Sequence, residues 1–366
     1  MWRMRLLGEL STNHNYSTNF ERMFTMKRIS IVAAFCLIIA LSFALPSNAA
    51  SKKRVWKIAH AEFEGTSTYV FAEKLKEEVE KEFNGEVDIQ VFPAGQLGSY
   101  EAMQEQVQTG GLEFTIPTTA PIQTIVPEYA FTSINFILSP EYMTNYKALN
   151  QGETMKFLGT MLEKKNLRVL KWLPQPFSCW SSNTPLQKLE DFKGLKIRVY
   201  PSTQIIANYK ALKSNPTPIP YAEVYSALQL NVATAQENPI QIIYSNKFYE
   251  VQKYVIISNH TTPIDTLTTS CSFWNSLNKE EQEKVLRAAD KAALFAINGM
   301  NATLKDSLEK IKASGNTTIL ELAPKERERL AEASKAAYTV YLDMCKDNGA
   351  KVLKMWKADL NKFGTK

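Results

Sequence analysis

Between Val55 and Ile116 the hydrophobic period of the chain switches back and forth between that of a strand and that of a helix. Val55 to Ala61 reads as a buried strand. Thr66 to Phe83 reads as a helix, with Phe71, Leu75, Val79 and Phe83 on one face and Asn84-Gly85, tolerant of positive φ, at its end. Val87, Ile89 and Val91 alternate with Asp88 and Gln90 as a strand. Pro93 to Gly98 is a turn, Ser99 caps a helix carrying Met103 and Val107 up to Gly110-Gly111, and Leu112 to Ile116 is again a strand. Strands separated by helices predict a mostly parallel sheet covered by helices, because parallel neighbours need a crossover. The ligand crevice of such a sheet lies beyond the carboxyl ends of its strands. Those ends fall near Ala61-Glu62, Pro93 to Ser99 and Pro117-Thr118-Thr119.

Further on, Ser139-Pro140 is expected to cap a helix running toward Leu162, and Leu167 to Trp172 returns as a strand. A second cycle follows: a strand at Leu195 to Val199, helices at Ser202 to Leu212 and Tyr221 to Leu230, a short strand near Val232, a helical Phe248 to Lys253 and a strand at Tyr254 to Ile257. Two α/β lobes of similar build are implied. Asn278 with Glu281 three residues later is a capping-box start for a helix through Val285, Ala289, Ala293 and Ile297. If it continues to Ile311 it exceeds the width of one lobe and straps both. Pro324 opens a last helical segment through Leu330, Tyr338 and Leu342, and another runs from Lys351 to Phe363.

The formal charge of +6 raises the question of a polyanionic partner. Half of that excess sits in the first fifty residues, where Arg3, Arg5, Arg22, Lys27 and Arg28 face only Glu9 and Glu21. The remainder has no basic block interleaved with aromatics, so nucleic acid is excluded as a partner. Met26-Lys27-Arg28, the apolar stretch Ile29 to Leu45 and the small residues to Ala50 describe a secretory signal peptide cleaved after Ala49 or one residue later. The alternative is a membrane anchor. Met1 to Thr25 fits no targeting logic and reads as an upstream extension from a start codon assigned too early. No long apolar run follows residue 50, so the mature chain is not expected in the membrane.

Scarce residues exclude whole classes of chemistry. After the signal, only His60 and His260 remain, and the cysteines are Cys179, Cys271 and Cys345. Neither a His-rich metal site nor a C-x-x-C knuckle can be written, and any one disulfide pairing is left open. No G-x-S-x-G elbow, G-x-G-x-x-G fingerprint or P-loop occurs, which argues against hydrolase and nucleotide chemistry and implies no cofactor. An enzyme using Cys179 as nucleophile would need one of the two imidazoles as its base.

Three blocks together resemble one family, the dicarboxylate-binding type of solute-binding protein from tripartite ATP-independent periplasmic (TRAP) transporters. They are Phe92-Pro93-Ala94-Gly95-Gln96-Leu97-Gly98; Leu189 to Val199, with Lys-Gly-Leu-Lys-Ile-Arg inside it; and Glu223 to Gln229 followed by Gln236-Glu237-Asn238-Pro239. The similarity runs from about Val55 to the C-terminus. It implies a type II-like periplasmic binding fold, with a ligand trapped between two α/β lobes and a long helix bracing both. On that basis residues 1–25 are the extension, 26–49 the signal, 51–175 with 264–303 the first lobe, 176–263 with 304–357 the second, and 358–366 a tail. The implied partners are a small organic anion, carboxylate or sulfonate, and the small and large membrane permease subunits. A monomer is expected. A sensor presenting ligand to a membrane receptor is the alternative on the same fold.

The resemblance also nominates residues. Arg198 matches the arginine that pairs with the ligand carboxylate, and its guanidinium supplies the planar fork that lysine lacks. Asn238 matches a position that hydrogen-bonds the same anion, and Tyr221 an aromatic lying against the ligand. Glu62 and Thr118, at strand ends of the first lobe, are expected on the opposite wall, Glu62 suiting a ligand hydroxyl or ammonium. Phe177 and Trp180 are candidates for lining or for core. Two departures stand out. Relatives that bind sugar acids carry a second arginine where this chain has Ser178, which favours a ligand with one anionic group. The usual Asp-Gly before Gln-Glu-Asn-Pro is Thr234-Ala235 here.

Overall fold

The computed structural model describes residues 53–364. The expected signal peptide and upstream extension lie outside the described residues. The first lobe begins with β1 (Arg54–Ala59), α1 (Ser67–Glu82), β2 (Val87–Phe92), α2 (Tyr100–Thr109) and β3 (Phe114–Thr115). β1 pairs parallel with both β2 and β3, as the alternation predicts. The Thr66 side chain caps α1 at the Tyr69 amide, and the helix buries Phe71, Leu75 and Val79. Ser99 caps α2 at the Ala102 amide, and Gly110, with φ 84°, ends it. After the short α3 (Thr119–Gln123), the single helix expected up to Leu162 is two: α4 (Tyr142–Gln151) and α5 (Glu153–Glu163). The break is at Gly152, extended at φ −75°, ψ 156°.

β4 (Leu167–Pro174) completes this half, and the chain crosses into the second lobe: β5 (Ser178–Ser182), β6 (Lys196–Val199), α6 (Thr203–Ala211), β7 (Asn215–Pro218), α7 (Val224–Gln229), β8 (Ala235–Pro239), α8 (Ile240–Ser245) and β9 (Tyr254–Ile257). The strand expected near Val232 is β8, starting at Ala235. The chain then returns as β10 (Ile264–Ser270), followed by α9 (Cys271–Ser276), α10 (Lys279–Ala313), β11 (Thr318–Glu321), α11 (Pro324–Ser334) and α12 (Ala337–Phe363). The strand orders are β2-β1-β3-β10-β4 and β11-β9-β5-β8-β6-β7. Pro216 and Pro218 lie in β7, at an edge, where a missing N–H costs no ladder bond.

β5 and β10 lack an apolar alternation because Ser and Thr fill most of their positions. All seven residues of β10 are buried. Their hydroxyls are satisfied inside, Thr266 donating to Pro117 O at 3.2 Å and Thr269 to Glu113 O at 2.7 Å, so burial leaves few unmet polar groups. The crossing segments bind each other: Gln175 N donates to Pro263 O at 2.8 Å and Ser178 N to Thr261 O at 2.9 Å.

α10 opens with the capping box of Asn278 and Glu281 and runs for 35 residues, about 50 Å. Its Val285 to Ala296 pack into the first-lobe core, and Leu304, Leu308 and Ile311 into the second. It braces both lobes.

The C-terminal part departs from the expected boundaries. Residues 337–357 were expected in the second lobe and 358–366 as a tail. Instead α12, kinked at Lys346, lays Tyr341, Cys345, Val352 and Trp356 into the first-lobe core. The Trp356 and Phe131 ring centroids are 5.2 Å apart, and Trp356 Nε1 donates to Ile137 O at 3.2 Å. Asp359, far from being in a tail, caps α5: it accepts from Glu153 N at 3.0 Å, Thr154 N at 2.8 Å and Thr154 Oγ1 at 2.6 Å. All three described cysteines are free thiols.

Candidate functional site

A cleft between the lobes has an empty volume of about 860 Å³, open solvent at its mouth included. Glu62, Thr118, Ser178, Arg198, Tyr221 and Asn238, which are far apart in sequence, all line it. The parallel strands explain why, since β1, β3, β6 and β8 end at it from two sides.

Arg198 lies on β6 and is 3 % exposed. Its Nε donates to Ile219 O at 2.9 Å, while Nη2 has no hydrogen-bond partner among the described residues. Desolvation pushes its pKa down to about 10, against the opposing pull of the Glu237 carboxylate. The group therefore stays cationic at neutral pH. Of the lysines and arginines described, Arg198 alone lines the cleft.

Asn238, on β8, donates from Nδ2 to Gln236 Oε1 at 2.5 Å; an amide carries two N–H groups, so one remains to donate. Beside it Glu237 Oε2 accepts from Tyr209 at 2.6 Å and lies 2.7 Å from His260 Nε2, while the Ser258 hydroxyl is 2.7 Å from His260 Nδ1. This fixes the wall behind the guanidinium.

The opposite wall carries Glu62, 4 % exposed. Its two oxygens accept from the hydroxyls of Tyr100 at 2.6 Å and Tyr221 at 2.9 Å. Burial raises its carboxyl above the usual range, and the two tyrosines only partly offset this. Tyr221 is thus more than an apolar surface for a ligand: its hydroxyl joins the two lobes and accepts from Asn246 Nδ2 at 2.9 Å. Tyr100, Tyr200 and Tyr221 line both this cleft and a wider outer groove toward Phe63 and Tyr225. The Tyr200 hydroxyl also crosses between lobes, donating to Glu101. Thr118 caps α3, accepting from Ala120 N at 3.4 Å, and Ser178, at the start of β5, is buried.

Several cleft residues carried no usable sequence signal. Asp265, 3 % exposed, accepts from Thr68 and, at 2.9 Å, from Gln175, and its carboxyl is raised well above the usual range by burial. Asn135 and Thr262 also line the cleft. They sit in irregular segments that become neighbours of Arg198 only through the fold.

Phe177 and Trp180 do not line the cleft. Trp180 is core, stacked on His260 with centroids 4.2 Å apart and donating to Tyr209 at 2.8 Å. Cys179 has no activated thiol: it is buried, and desolvation pushes its pKa up to about 12. Among the described residues no cluster of His, Cys, Asp and Glu could hold a metal ion, and no helix is long and apolar enough to cross a membrane.

Residues 58–363 match the family model described as bacterial extracellular solute-binding protein, family 7. The chain belongs to this family. It is a TRAP solute-binding protein and, like its relatives in the family, not an enzyme. The C4-dicarboxylate-binding periplasmic protein DctP of Rhodobacter capsulatus is 30% identical to this family member over 332 residues, 90% of this chain and 97% of that one. The ectoine/5-hydroxyectoine-binding periplasmic protein UehA of Ruegeria pomeroyi is 29% identical over 338 residues, 90% and 98% of the two chains. Among solved structures, a TRAP periplasmic solute-binding protein of Desulfovibrio salexigens with bound orotic acid superimposes with a TM-score of 0.80 at 28% identity, covering 85% of this chain and all of that one.

Proposed function

We propose that this TRAP solute-binding protein captures a small organic acid by seating one carboxylate on Arg198 and hands it to the membrane permease subunits. The observation that carries this reading is the buried guanidinium whose Nη2 finds no partner among the described residues. A buried cation with no carboxylate in direct contact is costly, and a bidentate carboxylate is the partner its geometry fits. Asn238 adds a neutral donor. A charge-assisted bond of this kind contributes about 1.5–3 kcal/mol, roughly a 10- to 150-fold change in affinity.

Ligand contacts come from both lobes and therefore exist together only when the lobes meet, so binding favours the closed arrangement. The basic, apolar and small-residue pattern at 26–49 supports export and work outside the cytoplasmic membrane. The relatives bind a C4-dicarboxylate and ectoines by their names; here Ser178 stands in place of a second cation, which supports a ligand with one anionic group.

Calorimetry against an organic-acid panel tests the reading. Arg198→Lys keeps the charge but not the fork and is expected to weaken binding by about 10-fold or more. Equal affinity in wild type and variant would refute it. Uptake in cells with and without the two permease subunits tests delivery.

A further inference from the structure

Buried side-chain polar atoms without a partner are uncommon and costly. Among the described residues, three such atoms belong to side chains lining the cleft: Arg198 Nη2, Asn135 Nδ2 and Thr262 Oγ1. All three side chains are at most 3 % exposed. They come from different parts of the fold. Asn135 follows the turn Pro127–Ser133 of the first lobe, Arg198 lies in the second, and Thr262 is on a crossing segment.

The orientation of the Asn135 amide follows from its neighbours. Gln204 Nε2 donates to Ala337 O at 3.2 Å and to Asn208 Oδ1 at 3.2 Å, and Asn208 Nδ2 donates to Ser133 O at 2.7 Å. Both main-chain carbonyls can only accept, so both amides have their nitrogens placed. Asn208 Nδ2 then meets Asn135 at 3.2 Å and requires an oxygen there. The remaining end of Asn135, its NH2, is the one left unpaired.

The backbone holds this arrangement at a cost. Phe136, next in the chain, has φ 63°, a left-handed conformation that a bulky side chain rarely adopts. It is pinned there by its N–H donating to His260 O at 2.8 Å and by the Arg327 guanidinium 5.1 Å from its ring centroid. Thr262 is pinned as well, since its neighbours Thr261 and Pro263 accept from Ser178 N and Gln175 N.

We infer that Asn135 and Thr262 are specificity-determining residues that read a neutral oxygen, hydroxyl or carbonyl, on the part of the ligand beyond its carboxylate. The inference rests on the solute-binding reading above and narrows its ligand to hydroxy or oxo monocarboxylic acids. Both groups are uncharged, which suits a neutral acceptor. A second carboxylate would be buried beside Glu237 with, among the described residues lining the cleft, no second cation to pair with, an unfavourable setting for it.

Calorimetry tests this with butyrate, its 2-, 3- and 4-hydroxy derivatives, 2-oxobutyrate, acetoacetate and succinate, with gluconate against hexanoate as a longer pair. Wild type is expected to bind at least one hydroxy or oxo acid about 10-fold or more tighter than its bare analogue, because a site built around donors rejects ligands that leave them unpaired. The hydroxy and oxo arms identify which oxygen is read. Asn135→Leu removes the donor at similar volume and adds no charge; Asn135→Ala and Thr262→Val remove each group outright. All three are expected to shrink the preference to about 3-fold or less while changing bare-acid affinity by less than about 3-fold. A preference that survives in all three variants, or succinate binding tighter than every hydroxy and oxo acid, overturns the inference. If Arg198→Lys abolishes binding in that case, the solute-binding reading stands without it. No affinity of wild type for any of these acids overturns both.

Discussion

The carboxylate of Glu62 in the first lobe accepts a hydrogen bond from the hydroxyl of Tyr221 in the second at 2.9 Å. Its other oxygen is held by Tyr100 of its own lobe, and Asn246 orients the Tyr221 hydroxyl from behind. An acid that desolvation alone would disfavour is thus retained at the point where the lobes touch.

Tyr221→Phe removes this bridge and leaves one oxygen of a buried carboxylate unpaired, a loss of about 1–3 kcal/mol. Part of it falls on the closed arrangement, so ligand affinity should drop by about 5-fold or more. Calorimetry measures the affinity, and small-angle scattering of the unliganded variant should show a larger radius of gyration than wild type.

Glu62 also has a pH signature. Its folded pKa is raised above the unfolded value near 4.5, so the folded state holds this proton longer than the unfolded chain. The contribution to stability is full below about 4.5 and is lost as pH rises through the raised folded value. Glu62→Gln removes that loss. Urea denaturation from pH 4 to 8 should show the variant gaining on wild type as pH increases, even as the charge available to a ligand disappears.

His60 acts in the opposite direction. Buried behind Glu62, whose N–H it accepts at 3.3 Å, its pKa is lowered from 6.5 to about 4. The unfolded chain takes up a proton there first, so stability falls as pH drops from about 6.5 toward 4, by up to roughly 3 kcal/mol. His60→Asn keeps an acceptor near the same place without the titration. Its unfolding free energy should be flatter than that of wild type across this window.

The α4–α5 break makes a prediction remote from the cleft. A Cβ on Gly152 would lie 2.2 Å from Ala148 O and 2.6 Å from Asp359 Oδ2. Gly152→Ala should destabilise by about 3 kcal/mol. Asp359→Ala uncaps α5 at a buried site and should cost about 1–3 kcal/mol. Calorimetric melting temperatures check both, and ligand affinity at 25 °C should be unchanged in whatever fraction is folded.

Features with a local cause were legible in the chain. The turn-by-turn spacing of Phe71, Leu75 and Val79, the Ser99 cap and the Asn278–Glu281 capping box each involve residues within a few positions of one another. The alternation from Val55 to Ile116 likewise implies parallel pairing, because a helix must carry the chain back. Arg198 and Asn238, which line the cleft, stand in blocks whose residue order is itself the signal.

Tertiary structure alone decided the rest. β10 takes an interior place in its sheet although Ile-Asp-Thr-Leu-Thr-Thr-Ser has no strand pattern, and the Thr266 and Thr269 hydroxyls find carbonyls of distant segments there. Asp359 becomes a helix cap only where α12 folds back onto Gly152. Asn135 faces the cleft because Gln204 and Asn208 orient its amide from another lobe. In each case a polar group takes its role from a partner remote in sequence. Periodicity records which face of an element is apolar, but not which distant atom will meet a side chain there.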